Sequence, residues 1–413
     1  MMRRWSVVCV VAVSLLLSPF ALHAAPKRRA AAPLGPNVIR IGALFSLTGD
    51  GSSLGTASAA ALELAVRDIN EEMQALQTPW LVEYDVEDTK LTPSIAAEKI
   101  AQLDQRGATV VIGPQSSAEA AAVVGYANAH NLLVISQGST ASTLAIAGDN
   151  LFRLAPNDKL EGAATAALMV ADGIDTLVPM WRADAGNTGL HDSTTIRFAG
   201  LGGTALAGVS YDPATTSFAP LVTALGNAVR AAKAASPNAH LGVYLASFEE
   251  AAPIMELARL DPDLASVRWY GGDGITQSQA LLANANAAQF AATTHFIAPN
   301  VGLDESERDR WAPISAAIAL KTGFQPDALA LSVYDAAWVA VLSAIEVENE
   351  APFRRASFVR NVQRYWGLTG PTELDANGDR AIGNFDFWMV TALAGKPAEW
   401  VRTAQYVGGH IVR

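Results

Sequence analysis

The stretch Asn37-Val38-Ile39-Arg40-Ile41-Gly42-Ala43-Leu44-Phe45-Ser46-Leu47-Thr48-Gly49-Asp50-Gly51-Ser52-Ser53-Leu54-Gly55 decides how this chain reads. A short apolar strand runs into a Gly/Ser loop. The loop runs into a helical segment that ends at Arg67-Asp68-Ile69-Asn70-Glu71-Glu72. Ala57, Ala61, Leu64, Ala65, Ile69 and Met73 recur there at helical spacing. A strand–loop–helix unit of this kind aims free backbone N–H groups at whatever sits above the strand end.

The same unit repeats outward. Residues 81–86 alternate as a second strand, and 93–106 read as a helix closed by Gly107. Thr109-Val110-Val111-Ile112 reads as a buried parallel strand before Gly113-Pro114. An Ala-rich helix over 117–128 and a strand at Leu132-Leu133-Val134-Ile135 follow. After Phe152-Arg153-Leu154-Ala155-Pro156 the pattern restarts, with strands expected at 176–180, 203–209, 241–245 and 267–270. Alternation of this sort predicts α/β architecture, with parallel sheets covered by helices on both faces. At 413 residues, two lobes fit better than one sheet. Such sheets bind ligands beyond the carboxyl ends of their strands. The loops at 48–55, 113–117, 136–142, 181–189, 246–250 and 271–274 are therefore the first to inspect.

Composition narrows the function classes. The chain is 50% hydrophobic and 17% charged, with net charge −11. This is a globular composition. The acidic balance argues against nucleic-acid binding, which wants a basic face. Arg3 and Arg4, an apolar run over 7–17 and small residues near Ala24 and Ala25 read as a secretory signal over residues 1–25. Cleavage is expected near residue 24 or 25, and residues 26–37 read as a Pro-rich linker. The one cysteine, Cys9, falls inside that signal. The remainder then has no thiol for a disulfide, a zinc site or a nucleophile. The six histidines are scattered with none at metal-ligand spacing, so no metal or cofactor is expected. Asp375-Ala376-Asn377-Gly378-Asp379 hints at a calcium loop but lacks the twelve-residue pattern, and a turn is expected.

Taken in order, several short motifs resemble one family. They are 41–49 with Gly55, Asp68-Ile69-Asn70, Val111-Ile112-Gly113-Pro114 with Ser116-Ser117, Ile135-Ser136 and Phe152-Arg153. Tyr270-Gly271-Gly272-Asp273-Gly274, Tyr334-Asp335-Ala336, and Gly370-Pro371 with Asp375, Asn377 and Gly378 complete the set. The chain resembles the leucine/isoleucine/valine-binding proteins, type I periplasmic receptors of ABC importers. The resemblance implies two doubly wound lobes joined by a three-crossover hinge, closing on a ligand. It implies a first lobe of 38–156 with 299–368 and a second of 157–298 with 369–413. It also implies a periplasmic monomer that is not an enzyme, whose partners are a small amino acid or similar zwitterion and a membrane permease.

Carried over residue by residue, the resemblance assigns Ser117, Gly138 and Thr140 to the ligand's carboxylate end. It assigns Asp273 to the ammonium, where a charge-assisted hydrogen bond would form. Phe248, Trp181 and Leu54 would shape the pocket, although Phe248 stands where the family often has a tyrosine and Leu54 where it frequently has an aromatic. Ser116 and Lys90 fall near the positions of a family disulfide that this chain lacks. Each residue also has a plainer reading. Ser116 with Glu119 makes a capping box, 138–140 an ordinary turn, Asp273 a Gly-rich turn, and the aromatics rim packing.

Two other readings remain. One is a ligand sensor of the same fold that reports to a signalling partner. The other is an exported serine hydrolase, because Gly51-Ser52-Ser53-Leu54-Gly55 satisfies Gly-x-Ser-x-Gly. The hydrolase would need Ser53 to find an acid and a histidine such as His295 or His410. The glycine spacing over 49–55 does not fit a dinucleotide fingerprint.

Overall fold

A computed structural model describes residues 37–413 except 382 and 393–395. The expected signal and all but the last residue of the expected linker lie outside the described residues.

Five parallel strands form the first sheet: β1 (Asn37–Phe45), β2 (Trp80–Asp88), β3 (Val110–Ile112), β4 (Leu133–Ser136) and β5 (Leu151–Arg153). Their order is β2-β1-β3-β4-β5. The apolar residues of β1 are buried because helices cover both faces of the sheet. Ile39, Ile41, Ala43 and Phe45 pack with the helix Ser52–Ala75 and with Ala328–Glu346. Leu44 packs on the other side with Pro93–Gln105 and Ser117–His130. The run of alanines along Ser52–Ala75 lets it lie against Ala328–Glu346 with little side-chain bulk between them.

Length and composition alone would let Ala328–Glu346 cross a membrane. However, 78% of its apolar window is buried, so it serves as a core helix. Its Asp335 accepts from Leu368 N (2.6 Å), Thr369 N (2.9 Å) and Thr369 Oγ1 (2.7 Å), anchoring the loop that follows residue 366.

The second sheet contains β6 (Thr176–Arg182), β7 (Thr204–Ala205), β8 (Val209–Tyr211), β9 (Leu241–Ala246), β10 (Arg268–Gly271) and β11 (Ile297–Val301). A short ribbon of β12 (Trp366–Gly367) and β13 (Gly370–Pro371) stands apart. The sheet continues through β14 (Phe385–Thr391), β15 (Glu399–Val407) and β16 (His410–Val412). The strand expected over 203–209 is broken into β7 and β8. Pro179 in β6 has no N–H for the ladder there. Gly208 must also pass close to it, since a Cβ at Gly208 would stand 2.1 Å from Pro179 O. Beyond β11 the strands run antiparallel, a C-terminal extension that the strand–helix alternation did not reveal.

The chain passes between the two layers three times, after β5, after β11 and before β14. A buried ion pair joins two of these passages. Arg153 Nε and Nη2 donate to Asp379 Oδ1 (2.6 Å) and Oδ2 (2.5 Å), with both side chains about 1% exposed. Arg380 donates to Thr369 O (2.5 Å), Pro371 O (3.0 Å) and Leu154 O (3.3 Å) beside it.

Candidate functional site

The strand-end loops of the two layers face each other across a cleft. On the first layer, Asp88 accepts from Leu47 N (3.0 Å), Thr48 N (3.3 Å) and Thr48 Oγ1 (2.7 Å). Gln115 donates to Gly51 O (2.9 Å) and accepts from Ser46 N (3.2 Å). A Cβ at Gly55 would stand 2.0 Å from Ser46 O, so only glycine lets the helix turn in this tightly. The loop is therefore a fixed wall that presents Leu54.

The next two loops meet at Ser117. Ser116 and Glu119 form the capping box at the start of Ser117–His130. That leaves the Ser117 hydroxyl to the neighbouring loop. It accepts from Thr140 N (3.2 Å), Ala141 N (3.0 Å) and Ser139 Oγ (3.1 Å). Arg153 donates to Ala141 O (2.7 Å), tying this loop to the buried ion pair.

The second layer contributes acids. Asp273 follows β10, and its N–H donates to Glu161 Oε1 (3.1 Å). Glu161 and Asp158 lie in the first turn of the helix Asp158–Ala171. Burial pushes the Asp273 carboxyl up, and the charge of Asp158 pushes it further. Glu161 is raised by burial and then by Asp273 and Asp158. Burial pushes Asp158 up to about 7 and Asp327 to about 6. Asp158 Oδ1 is buried without a hydrogen-bond partner.

The buried Arg182 is held by other carboxylates. It lies 2.9 Å from Asp184, 3.5 Å from Glu250 and 3.6 Å from Asp50. Its guanidinium carbon is 5.5 Å from the centre of the Phe248 ring.

Leu54, Gly138, Phe248 and Asp273 line one enclosed cavity of about 40 Å³, together with Gln115, Glu249 and Asp327. Ser117 and Thr140 are buried and are not among the lining residues. Trp181 also stands outside the lining and stacks on His191, with ring centres 3.8 Å apart.

The two layers touch directly at the mouth of the cavity. Glu249 accepts from Ser52 N (3.1 Å), Ser52 Oγ (2.9 Å), Ser278 Oγ (2.9 Å) and the Ser53 hydroxyl. Its N–H donates to Asp50 O (3.0 Å). Ser53 Oγ accepts from Gln279 N (2.9 Å). Ser53 is thus paired with a carboxylate and a backbone N–H, and no histidine among the described residues joins them. The 375–379 segment is a turn around Asp375, which accepts from Asn377 N (2.8 Å) and Asp379 N (3.1 Å). Among the described residues, no three His, Cys, Asp or Glu side chains are grouped to hold a metal ion.

The sequence reading missed Gln115, Glu249, Asp158, Glu161 and Asp327. Glu249 lay within a loop already marked for inspection, so an acid at a strand end was the available signal. Asp158 and Glu161 follow the Phe152-Arg153 motif by less than three helical turns. Asp327 is the N-cap of Ala328–Glu346 and reads locally as a cap alone.

A family model described as "Periplasmic binding protein" matches residues 38–396. An uncharacterised protein of Methanocaldococcus jannaschii is 26% identical over 374 residues, spanning 86% of this chain and 87% of its own length. The fold is similar to that of a leucine-binding protein from Thermotoga maritima, with TM-score 0.74, 19% identity, and 90% and 99% of the two chains covered. It is also similar to an ABC-transporter solute-binding protein from R. palustris solved with benzoate, with TM-score 0.71, 18% identity, and 88% and 96% covered. Motif order, two layered sheets and a cleft between their strand ends agree with these matches: the chain belongs to the periplasmic binding protein family and has its type I fold.

Proposed function

We propose that this protein is a periplasmic solute receptor that presents a small amino acid or similar zwitterion to the membrane permease of an ABC importer. In this reading it acts as a monomer and carries out no chemistry on its ligand. The lobes are 38–156 with 299–368 and 157–298 with 369–413, and they hinge at the three passages.

One observation carries the reading. Asp273 and Asp327 line the cavity, Glu161 accepts from Asp273 N, burial raises these three acids and Asp158, and the charge of neighbouring acids raises Asp273 and Glu161 further. A positive group placed among them relieves that repulsion. A ligand ammonium supplies such a group, and its bond to Asp273 is charge-assisted. The loop at Gly138 receives the carboxylate end, and Ser117, bonded to Thr140 N and Ala141 N, holds that loop in place. Leu54 and Phe248 pack on the side chain, and Trp181 supports the helix Ala185–Gly200 through His191.

The leucine-binding relative favours an amino acid, whereas the benzoate-bound one shows that this fold also takes aromatic acids. Thermal melting against amino acids, amides and aromatic acids tests the choice. A bound ligand at a hundredfold excess over Kd adds about 2.7 kcal/mol of stability. An amino acid that raises the melting temperature supports the reading. A shift with benzoate and with no amino acid overturns it.

A further inference from the structure

Next to the cavity lies a larger chamber of about 630 Å³, within the range of roughly 300–1,000 Å³ typical of small-molecule pockets. The two spaces share their walls. Thr276 and Ser278 line the inner cavity, while Gln277 and Gln279 line the outer chamber. Likewise Asp327 and Leu329 face inward, while Pro326 and Ala328 face outward. Alternate residues of two short segments thus form one partition.

The halves of the partition belong to different layers. The segment 276–279 is fixed to the second sheet by Thr276 Oγ1 to Pro299 O (2.6 Å) and by Trp400 Nε1 to Ser278 O (3.2 Å). The segment 326–329 opens the helix Ala328–Glu346, which packs on the first sheet. Asn300 Nδ2 donates to Asp327 Oδ2 (3.3 Å) across the join. The partition between the two spaces is thus built from both layers. Gln277 sits at the join with φ +61°, a left-handed conformation that is unfavourable for a residue with a side chain.

The chamber differs chemically from the cavity. Trp311, Trp388, Trp400 and Phe324 line it. Its Arg402 is paired with Glu305 (2.8 Å) and Asp386 (3.3 Å) and its Arg308 with Glu305 (3.2 Å), which leaves both poorly placed to draw in an anion. Trp388 and Arg402 are partners in the β14–β15 ladder. Indole rings and neutralised cations suit an uncharged planar ring.

We propose that the chamber is an outer subsite of the cleft and takes an aromatic ring at the far end of a ligand whose ammonium lies at Asp273. This rests on the reading of the cleft as an amino-acid site and adds a substrate class to it: amino acids with long aromatic side chains.

Calorimetric titration with alanine, phenylalanine, tryptophan and O-benzyltyrosine tests the subsite through the ratio of affinities. O-Benzyltyrosine is expected to bind at least about tenfold more tightly than alanine, in keeping with the worth of a buried aromatic contact. The ratio should collapse toward one in Trp388→Ala and recover in Trp388→Phe, with the melting temperature of each unliganded variant confirming its fold. A wild-type ratio near one, or a ratio that Trp388→Ala leaves intact, overturns the subsite. If alanine binds and the ring adds nothing, only the subsite fails. If no amino acid binds, the reading of the cleft fails with it.

Discussion

Glu249 and Ser53 stand on opposite layers of the fold, and the Ser53 hydroxyl donates to the Glu249 carboxylate. The helix Ser52–Ala75 has no side-chain cap of its own at Gly51. Glu249 supplies one from across the cleft, accepting from Ser52 N as well. A carboxylate at a helix N-terminus is favoured by the free N–H groups and by the helix dipole. The residue that reaches across the cleft is thus also the cap of a core helix.

Removing that carboxylate should loosen the contact between the layers. Hydrogen bonds to a charged group are worth about 1.5–3 kcal/mol. Glu249→Ala is expected to lower stability by about that much and to increase the radius of gyration measured by small-angle X-ray scattering. Unchanged scattering and melting would show that Glu249 holds nothing together.

The clustered acids set a pH dependence. Asp158 has a folded-state value of about 7, well above that of an ordinary aspartate, and Asp327 is raised to about 6. Across that window the folded chain holds more protons than the unfolded chain. Stability therefore falls as pH rises. The unliganded protein is expected to melt at a lower temperature at about pH 8 than at about pH 5. An ammonium ligand should displace protons and bind more tightly as pH rises through 6–7. Calorimetry in buffers of different ionisation enthalpy would register that release, and proton uptake on binding would contradict it.

Arg153 and Asp379 pin the passage out of β5 to the passage before β14. Arg153→Ala would leave Asp379 buried without its partner. Breaking such a pair costs about 3–5 kcal/mol. Chemical denaturation should show a loss of that size. Arg153→Lys should recover only part, since an ammonium cannot make the paired contact. A loss below about 1 kcal/mol would place the pair among merely decorative surface bridges.

Elements with strong local signals were legible in the sequence. The β1 strand, its Gly/Ser loop and the Ala-rich helix follow from periodicity and turn chemistry, and Ser116 with Glu119 reads as a capping box. The antiparallel strands β14–β16 were not legible, because a hairpin extension leaves no strand–helix alternation to follow. In the cleft, motif order pointed to the loops at Leu54, Gly138, Phe248 and Asp273, which share one cavity. Glu161 and Asp327 escaped notice because each looks like ordinary helix-start chemistry. Their meaning comes from distant segments placing them beside Asp273, which no local window records.

Titration of wild-type protein and Asp273→Asn with an amino acid that stabilises the wild type tests the central claim most directly. If Asp273 holds the ammonium, the substitution removes a charge-assisted bond and should weaken binding by about 10- to 100-fold. Undiminished affinity in Asp273→Asn would contradict the account.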